Sequence, residues 1–193
     1  MANVKIEKYD DYPTPLPDAR YLTSLLPIEP GSTILEPHAN KGNFLRAIKL
    51  ETRGMGCKYF ANEYQAKYIP TLRRVIRPKR VRHGDFFDIK PRSDGRFRFD
   101  WAIGNPPFTG NSGILHTEHA LKLARNVAFF LPLRYLSSGQ RFQFWNESPI
   151  RRFWSVAERP VFVGSSGGRT DYAFYHWQHG YEEEPTFGVI SLL

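Results

Sequence analysis

The sequence predicts an α/β fold in which helices cover a doubly wound, mostly parallel sheet. Three observations predict it. Short apolar segments alternate with segments of helical spacing, which is typical of repeated strand–helix units. Several apolar segments end in a polar residue followed by a turn. Residues 127–133 are almost continuously apolar, as expected of a central parallel strand that is buried on both faces.

The composition favours one globular domain with an anionic partner. The chain has 193 residues, and we expect a single domain over 1–193, with a loosely held arm at 1–11 and a polar tail at 178–193. Its 27 Lys and Arg against 19 Asp and Glu give a formal net charge of +8. Such a balance favours nucleic acid as the partner, although many soluble proteins are mildly basic.

The sequence lacks paired cysteines and long apolar segments, which limits the kinds of protein that it can encode. The single cysteine, Cys57, excludes an internal disulfide and the usual zinc spacings, and we predict no metal site. The sequence has no basic-then-apolar leader and no apolar run long enough to span a membrane. We therefore expect a soluble cytoplasmic protein without a membrane partner.

The first strand–helix unit carries a glycine-bearing turn. Residues 12–17 are too rich in proline for a helix, and Asp18 is placed to cap a helix over 19–26. Residues 32–37 are predicted as the first strand, 38–43 as a small polar turn and 44–51 as a helix. A strand, such a turn and a helix place backbone N–H groups against a polar ligand, although any βα turn needs small residues.

The second unit ends its strand in an acid. Residues 57–63 are predicted as a strand, and Glu63 at its end is placed to accept ribose hydroxyls or, alternatively, to cap a solvated helix. A helix is predicted over 65–76. The basic residues around its end either form a solvated surface or contact phosphates; they are Arg73, Arg74, Arg77, Lys79, Arg80 and Arg82.

The third unit places an acid and an aromatic residue together. Residues 80–87 are predicted as a strand that includes Asp85 and Phe86. The carboxylate would accept from the amine of an adenine ring while Phe86 packs on that ring. An Asp that caps a helix would give the same pattern.

The fourth strand, predicted over 99–103, precedes Asn105, Pro106, Pro107 and Phe108. The prolines end sheet pairing and stiffen the turn. The Asn105 amide, which both donates and accepts hydrogen bonds, would bind a planar amine, and Phe108 would provide a ring on which it stacks. The plainer alternative is a strand followed by a tight turn with Phe108 in the core.

The rest of the chain completes the sheet. A loop over 109–113 and a helix over 114–125 precede the strand at 127–133, and a short helix is predicted over 137–145. The last two strands are predicted over 153–163 and 171–177. A flexible loop with Arg169 connects them, and Arg134 follows the central strand. The four polar sites (the turn after Glu36, Glu63, Asp85 and Asn105) should line one crevice at the carboxyl edge of the sheet.

These motifs resemble those of S-adenosylmethionine-dependent methyltransferases of the amino-group branch, and most closely the phage and prophage adenine-N6 DNA methyltransferases. Residues 34–44 are similar to the glycine-rich cofactor loop, and 12–15 to the N-terminal motif near the methionine end of the cofactor. Glu63 matches the ribose acid, Asp85 the adenine-side acid, and 105–108 the catalytic Asn-Pro-Pro-Phe motif. Asn40 stands where the family usually has a glycine, and many DNA adenine enzymes begin the motif with Asp.

The resemblance implies a Rossmann-like class I methyltransferase fold with seven strands, one of them antiparallel near the edge. It implies S-adenosyl-L-methionine as cofactor, S-adenosyl-L-homocysteine as product, and catalysis by Asn105, Pro106, Pro107 and Phe108. The cofactor-binding residues that it implies are Tyr12, Thr14, Pro15, Glu36, Pro37, His38, Ala39, Asn40, Gly42, Asn43, Phe44, Glu63, Asp85, Phe86 and Asn105.

The implied activity is methyl transfer to N6 of an adenine flipped out of double-stranded DNA, by a monomer or homodimer. Arg73, Arg74, Arg77, Lys79, Arg134 and Arg169 are the candidates for contacting the nucleic acid. Two alternatives stay open: an RNA adenine-N6 methyltransferase, and a non-catalytic nucleic-acid-binding protein on a degenerate methyltransferase fold. A protein glutamine methyltransferase is less favoured, because the basic surface has no obvious use there.

Overall fold

A computed structural model describes residues 13–108, 112–162 and 170–192. Within these ranges, one eight-stranded sheet carries five α-helices. The strands are β1 Thr33–Glu36, β2 Lys58–Glu63, β3 Val81–His83, β4 Phe99–Gly104, β5 Ala124–Pro132, β6 Ile150–Val156, β7 Tyr172–Gln178 and β8 Thr186–Ile190. The helices are α1 Leu16–Ser24, α2 Asn43–Glu51, α3 Ile69–Val75, α4 Ser112–Leu123 and α5 Phe142–Glu147.

The strands follow the order β3-β2-β1-β4-β5-β7-β6-β8. Pairings from β3 through to β5 are all parallel, and β6 pairs with β8 in parallel. The two antiparallel pairings both involve β7, which lies between β5 and β6. The predicted α/β fold with a mostly parallel sheet is confirmed, whereas the predicted count of seven strands is wrong.

Helices lie on both faces of the sheet because adjacent strand residues point to opposite sides. In β1, Ile34 packs in the cluster that holds the buried residues of α1 and α2, while Leu35 packs in the cluster under α4. Helix α3 covers the β2 and β3 end of the sheet through Leu72, which is fully buried. The long central strand β5 is buried along almost its whole length, as its apolar run predicts.

Several predicted boundaries are wrong for identifiable reasons. Helix α1 begins at Leu16, and Asp18 lies in its first turn instead of capping it. Pro17 is tolerated there because the first helical N–H groups have no partner within the helix. The predicted strand 80–87 ends at His83, since Gly84, at φ 151°, and a 3₁₀ helix over Phe86–Asp88 turn the chain away.

Other segments are divided or shifted. The predicted helix 65–76 is a 3₁₀ turn, Ala66–Tyr68, followed by α3, and the predicted helix 137–145 is likewise a 3₁₀ turn before α5. The strand predicted at 153–163 is β6, which begins and ends earlier. The tail predicted at 178–193 contains β8, which extends the sheet by pairing with β6.

Candidate active site

The loops that follow β1 and β4 begin side by side at the carboxyl edge of the sheet. Strand order reverses at β1, which has β2 on one side and β4 on the other, and ligands bind at such a switch point in open α/β sheets. A Cβ atom on Gly104 would lie 3.6 Å from Cγ of Glu36. The loops after β2 and β3 reach the same edge, because these strands run parallel to β1.

The loop between β1 and α2 has a defined, tightly packed backbone. Asn40 adopts φ 45° and Gly42 φ 80°, so both are left-handed. Asn tolerates this region better than most residues, which explains how it stands at a position where glycine is usual in the methyltransferases that the loop resembles. The Ala39 N–H donates to the carbonyl of Asn62 over 3.0 Å, and a Cβ on Gly42 would lie 2.9 Å from Leu72.

Glu63, at the end of β2, is tied to this loop. Its Oε2 accepts from the Asn40 N–H over 2.6 Å, and its Oε1 accepts from the Gln65 N–H over 2.6 Å. The residue is buried. Both carboxylate oxygens of Glu63 therefore hold backbone N–H groups at the carboxyl edge of the sheet.

Glu36, at the end of β1, is a buried acid. Its Oε2 has no hydrogen-bond partner within the described ranges. Burial is the main cause that raises the pKa of Glu36 well above its usual value; the backbone N–H of Leu45 opposes the rise, and repulsion from Glu63 adds to it. The site therefore holds a buried carboxyl group that lacks a hydrogen-bond partner for one oxygen within the described ranges.

The amide of Asn105 is oriented by the N-terminal segment. Asn105 Nδ2 donates to Oγ1 of Thr14 over 3.2 Å, and Nδ2 of Asn43 donates to the Thr14 carbonyl over 2.8 Å. Thr14 therefore joins the predicted catalytic motif to the start of α2. Oδ1 of Asn105 is buried and has no partner in the part of the chain that the structure describes. An unpaired buried acceptor is costly, so it is expected to meet a donor.

The rest of the Asn-Pro-Pro-Phe segment is held by its surroundings. Ser112 Oγ donates to the Pro107 carbonyl over 3.0 Å, and the hydroxyl of Tyr135 donates to the Phe108 carbonyl over 2.8 Å. The ring of Phe108 lies 5.9 Å from that of Tyr172, nearly perpendicular to it. Phe108 is partly buried and packs against the core on both faces of the sheet.

Asp85 and Phe86 follow β3, but their side chains already have structural contacts. Asp85 Oδ1 accepts from the Phe87 N–H over 3.0 Å, the capping contact that the sequence left as an alternative. Phe86 is buried. Arg82, predicted as part of a basic run that is solvated or contacts phosphates, has a structural role instead: its guanidinium donates to Oδ1 of Asn62 over 2.7 Å and to the carbonyl of Asp85 over 2.8 Å. Nothing in the sequence pattern distinguishes this arginine from its basic neighbours.

A feature missed by the sequence analysis is a histidine cluster. The ring of His38 lies 4.5 Å from that of His116 and 5.0 Å from Phe86, and His119 packs 4.8 Å from Phe86. Burial lowers the pKa of all three histidines, that of His116 to about 4. The only signal in the sequence was the spacing of His116 and His119, which puts them on one face of α4.

The predicted nucleic-acid residues do not all lie on one surface. Arg73 and Arg74 are exposed on α3, while Arg77 and Lys79 precede β3 and so lie towards the amino edge, away from Asn105. Arg134 follows β5 and lies at the carboxyl edge. Tyr12 and Arg169 fall outside the described residues.

The described ranges lack two kinds of feature. Among these residues no cluster of His, Cys, Asp and Glu has the geometry to hold a metal ion. None of the described helices combines the length and apolar character that crossing a membrane requires.

Neither a protein-family model nor a curated protein sequence matches this chain. Solved structures do match. One is the methyltransferase subunit of a type I restriction-modification system from Streptococcus thermophilus, with a TM-score of 0.75 and 17% identity over 96% of this chain and 48% of that one. Another is a class I S-adenosylmethionine-dependent methyltransferase from Listeria monocytogenes, with a TM-score of 0.69 and 14% identity over 97% and 69%.

A protein from Pyrococcus horikoshii described as an RNA methyltransferase matches with a TM-score of 0.64 and 15% identity over 92% of this chain and 90% of that one. The chain spans about half the length of the type I restriction-modification subunits from Streptococcus thermophilus and Vibrio vulnificus, 48% and 47%. At these identities the likeness shows the fold. The chain has the fold of class I S-adenosylmethionine-dependent methyltransferases.

Proposed function

We propose that the protein transfers a methyl group from S-adenosyl-L-methionine to N6 of adenine in DNA. The observation that carries the proposal is the buried, unpaired Oδ1 of Asn105 at the carboxyl end of β4, beside the partly buried Phe108. An amide acceptor next to an aromatic ring suits an exocyclic amine on a flat base. Solved methyltransferases of the same fold support this class of reaction.

The residues at the carboxyl edge fit the proposed cofactor. The loop of residues 36–44 would surround its polar end, and Glu63, a buried carboxylate at the end of β2, would accept from its ribose hydroxyls. The unpaired Oε2 of Glu36 would accept from the cofactor's α-amino group, and Thr14 and Pro15 would line the methionine end. Asp85 and Phe86 would border its adenine. When bound, the cofactor supplies a methyl group that the sulfonium has already activated.

Asn105 and the carbonyl of Pro106 would accept the two hydrogens of the target amine. These bonds draw the nitrogen lone pair out of conjugation with the ring and direct it at the methyl carbon. The nitrogen–carbon bond forms as the carbon–sulfur bond breaks, which leaves the sulfur neutral and the amine cationic. The methylated amine then loses a proton readily, so no strong base is required. Phe108 would stack on the base, and Pro107 would keep the loop in place.

Nucleic acid is the proposed partner because of the net charge of +8. In double-stranded DNA the adenine must be flipped out, at a cost of a few kcal/mol of stacking and pairing. Arg73, Arg74, Arg77, Lys79 and Arg134 are proposed to contact phosphates. We propose a single domain and either a monomer or a homodimer.

An RNA adenine-N6 methyltransferase is the second candidate. The observation that favours it is the match to the RNA methyltransferase from Pyrococcus horikoshii, which extends over 90% of that chain. The same Asn105 geometry serves an adenine in either nucleic acid.

The test is transfer of a labelled methyl group from S-adenosyl-L-methionine to unmethylated double-stranded DNA and to RNA of matching sequence. We expect label in DNA that a nucleoside digest identifies as N6-methyladenine. Label in RNA alone would move the assignment to the second candidate. Absence of cofactor binding in calorimetry would contradict both and leave a non-catalytic binding protein.

A further inference from the structure

A groove of about 710 Å³ opens next to the candidate active site, on the β6 and β8 side of β5. Its lining includes Leu133, Arg134, Phe153, Thr170, Asp171 and Phe187. Pockets of roughly 300–1,000 Å³ hold ligands up to the size of a drug or a nucleotide. The groove is therefore large enough for a nucleobase with its sugar and phosphate. Of its lining residues, Arg134 alone has been given a role above, that of a phosphate contact.

Residues next to those that line the groove contact the Asn-Pro-Pro-Phe motif. Tyr135, the neighbour of Arg134, donates its hydroxyl to the carbonyl of Phe108 over 2.8 Å. Tyr172, the neighbour of Asp171, packs 5.9 Å from the ring of Phe108. The Leu133 N–H donates to the carbonyl of Asp171 over 2.7 Å, which joins the two walls. The segments that follow β5 and precede β7 therefore contact both the groove and the Asn-Pro-Pro-Phe motif.

The charge of the groove suits a phosphate. Arg134 is exposed, and in the described part of the chain its guanidinium makes no hydrogen bond or ion pair. The acidic residue of the lining, Asp171, is already paired with Arg159 at 2.9 Å. The rim therefore carries an uncompensated positive charge.

The floor of the groove presents an aromatic surface. Phe187 on β8 is 59% exposed, although large apolar side chains are usually covered. Phe153 lies opposite it in the β6–β8 register, and the two ring centres are 5.1 Å apart. An exposed ring beside an unpaired arginine is the combination with which proteins stack a base and bind its phosphate.

We propose that this groove binds the nucleotide next to the target adenine, with its base on Phe187 and its phosphate at Arg134. The inference rests on the proposed function, since it needs a nucleic-acid substrate. It adds a site that would hold the nucleotide beside the adenine with little dependence on its base, because every base can stack on an aromatic ring. The contacts shared with the Asn-Pro-Pro-Phe motif and the uncompensated charge favour a nucleotide over a second protein chain as the occupant.

The experiment compares Arg134→Gln and Phe187→Ser with wild type on the nucleic acid, DNA or RNA, that wild type methylates. The controls are Arg53→Gln, at an exposed arginine in the turn after α2, and Phe142→Ser, at an aromatic residue that is 71% exposed outside the groove. Affinity is measured by anisotropy of a labelled 20-mer at several salt concentrations. An oligonucleotide with 5-bromouracil beside the adenine is also photo-crosslinked to wild type, and the linked peptide is sequenced.

We expect both groove variants to weaken oligonucleotide binding about fivefold or more, since stacking of one base and one phosphate contact are each worth that much. Arg134→Gln should also reduce the salt slope by about 0.9. Both controls should stay within about twofold of wild type, and cofactor affinity should not change. The crosslink should map to the peptide containing Phe187 or Phe153.

Normal binding by both groove variants, or crosslinks that map elsewhere, would overturn the assignment of the groove as a nucleotide site. Methyl transfer by wild type would still stand as proposed. A wild-type dimer in sedimentation that Phe187→Ser dissociates, with oligonucleotide binding unchanged, would assign the groove to a second copy of the chain. Failure of wild type to bind either nucleic acid would overturn the proposed function and the groove together.

Discussion

Asn105 and Thr14 are 91 positions apart in the sequence, and a hydrogen bond of 3.2 Å joins Asn105 Nδ2 to Thr14 Oγ1. Because the Asn105 amide donates through this nitrogen, its oxygen is the group left for a ligand. The N-terminal segment thus determines which side of the amide faces the site. Thr14, which lies outside the Asn-Pro-Pro-Phe segment, thereby orients the amide of Asn105.

Replacing Thr14 by Val should lower the rate of methyl transfer. Thr14→Val removes the acceptor of Asn105 Nδ2 but keeps the shape of the buried side chain. One hydrogen bond is worth about 1 kcal/mol, or about a fivefold loss in rate. Single-turnover kinetics with saturating cofactor measures the loss. Thr14→Ser keeps the hydroxyl and should retain most of the activity; equal losses in both variants would show that the bond does not orient the amide.

Replacing Glu63 by Gln should destabilise the protein and weaken cofactor binding. The neutral amide can present one acceptor to the two N–H groups of Asn40 and Gln65, and its NH2 group would face the other. We expect a loss of about 1–3 kcal/mol in the free energy of unfolding, measured with urea, and a higher Kd for S-adenosyl-L-methionine.

Glu51→Gln is the matched control, because Glu51 pairs with Arg20 at the surface and away from the site. It should change stability by less than about 0.5 kcal/mol. A Glu63→Gln protein as stable as this control, with unchanged cofactor affinity, would contradict the role given to the carboxylate.

Replacing Gly42 by Ala should cost more stability than the same change at Gly31. Both residues have a left-handed backbone, φ 80° and 82°. A Cβ on Gly42 would lie 2.9 Å from Leu72, whereas Gly31 has nothing within 4 Å of that position. Ala pays about 1–2 kcal/mol for the left-handed backbone at either site, and overpacking adds about 1–3 kcal/mol at Gly42. Urea unfolding of the two variants measures the difference; equal losses would show that Leu72 moves aside freely.

Protonation of buried histidines should destabilise the fold as the pH falls below about 6.5. The pKa of His116 is lowered to about 4 and that of His176 to about 3, both mainly by burial. Because an unfolded histidine titrates near 6.5, the unfolded chain binds more protons at these residues below that pH, and their contribution to the free energy of unfolding falls as pH falls from about 6.5 to 4, whereas the raised pKa of Glu36 acts in the opposite direction. Urea titrations at several pH values measure this slope. His116→Gln should have a shallower slope than wild type, and an unchanged slope would contradict the burial of His116.

The placement of the site was predictable because it depends on strand order alone. Once strands and helices alternate, the residues that follow parallel strands meet at one edge, which is where Glu63 and Asn105 lie. The bond between Thr14 and Asn105 was not predictable, since no local pattern links residues so far apart. The contact of His38 with α4 depends in the same way on how a helix packs across a loop.

Strand β8, the edge strand beside β6, was not predicted from the sequence. Phe187 and Val189 are 59% and 63% exposed, so the alternation that marks a half-buried strand does not separate core from solvent here. Gly188 and the preceding acidic residues further lower strand propensity. The start of α1 was predicted too late in the chain for a different reason: prolines in the first turn of a helix are also typical of an extended segment.

The most direct test of the proposed active site is methyl transfer to DNA by wild type and by Asn105→Ala, with cofactor affinity measured on the same samples. We expect wild type to produce N6-methyladenine and Asn105→Ala to lose transfer by about a hundredfold or more, through loss of a preorganised acceptor. Both proteins should bind S-adenosyl-L-methionine with similar affinity. Transfer by Asn105→Ala at the wild-type rate would contradict the role given to Asn105.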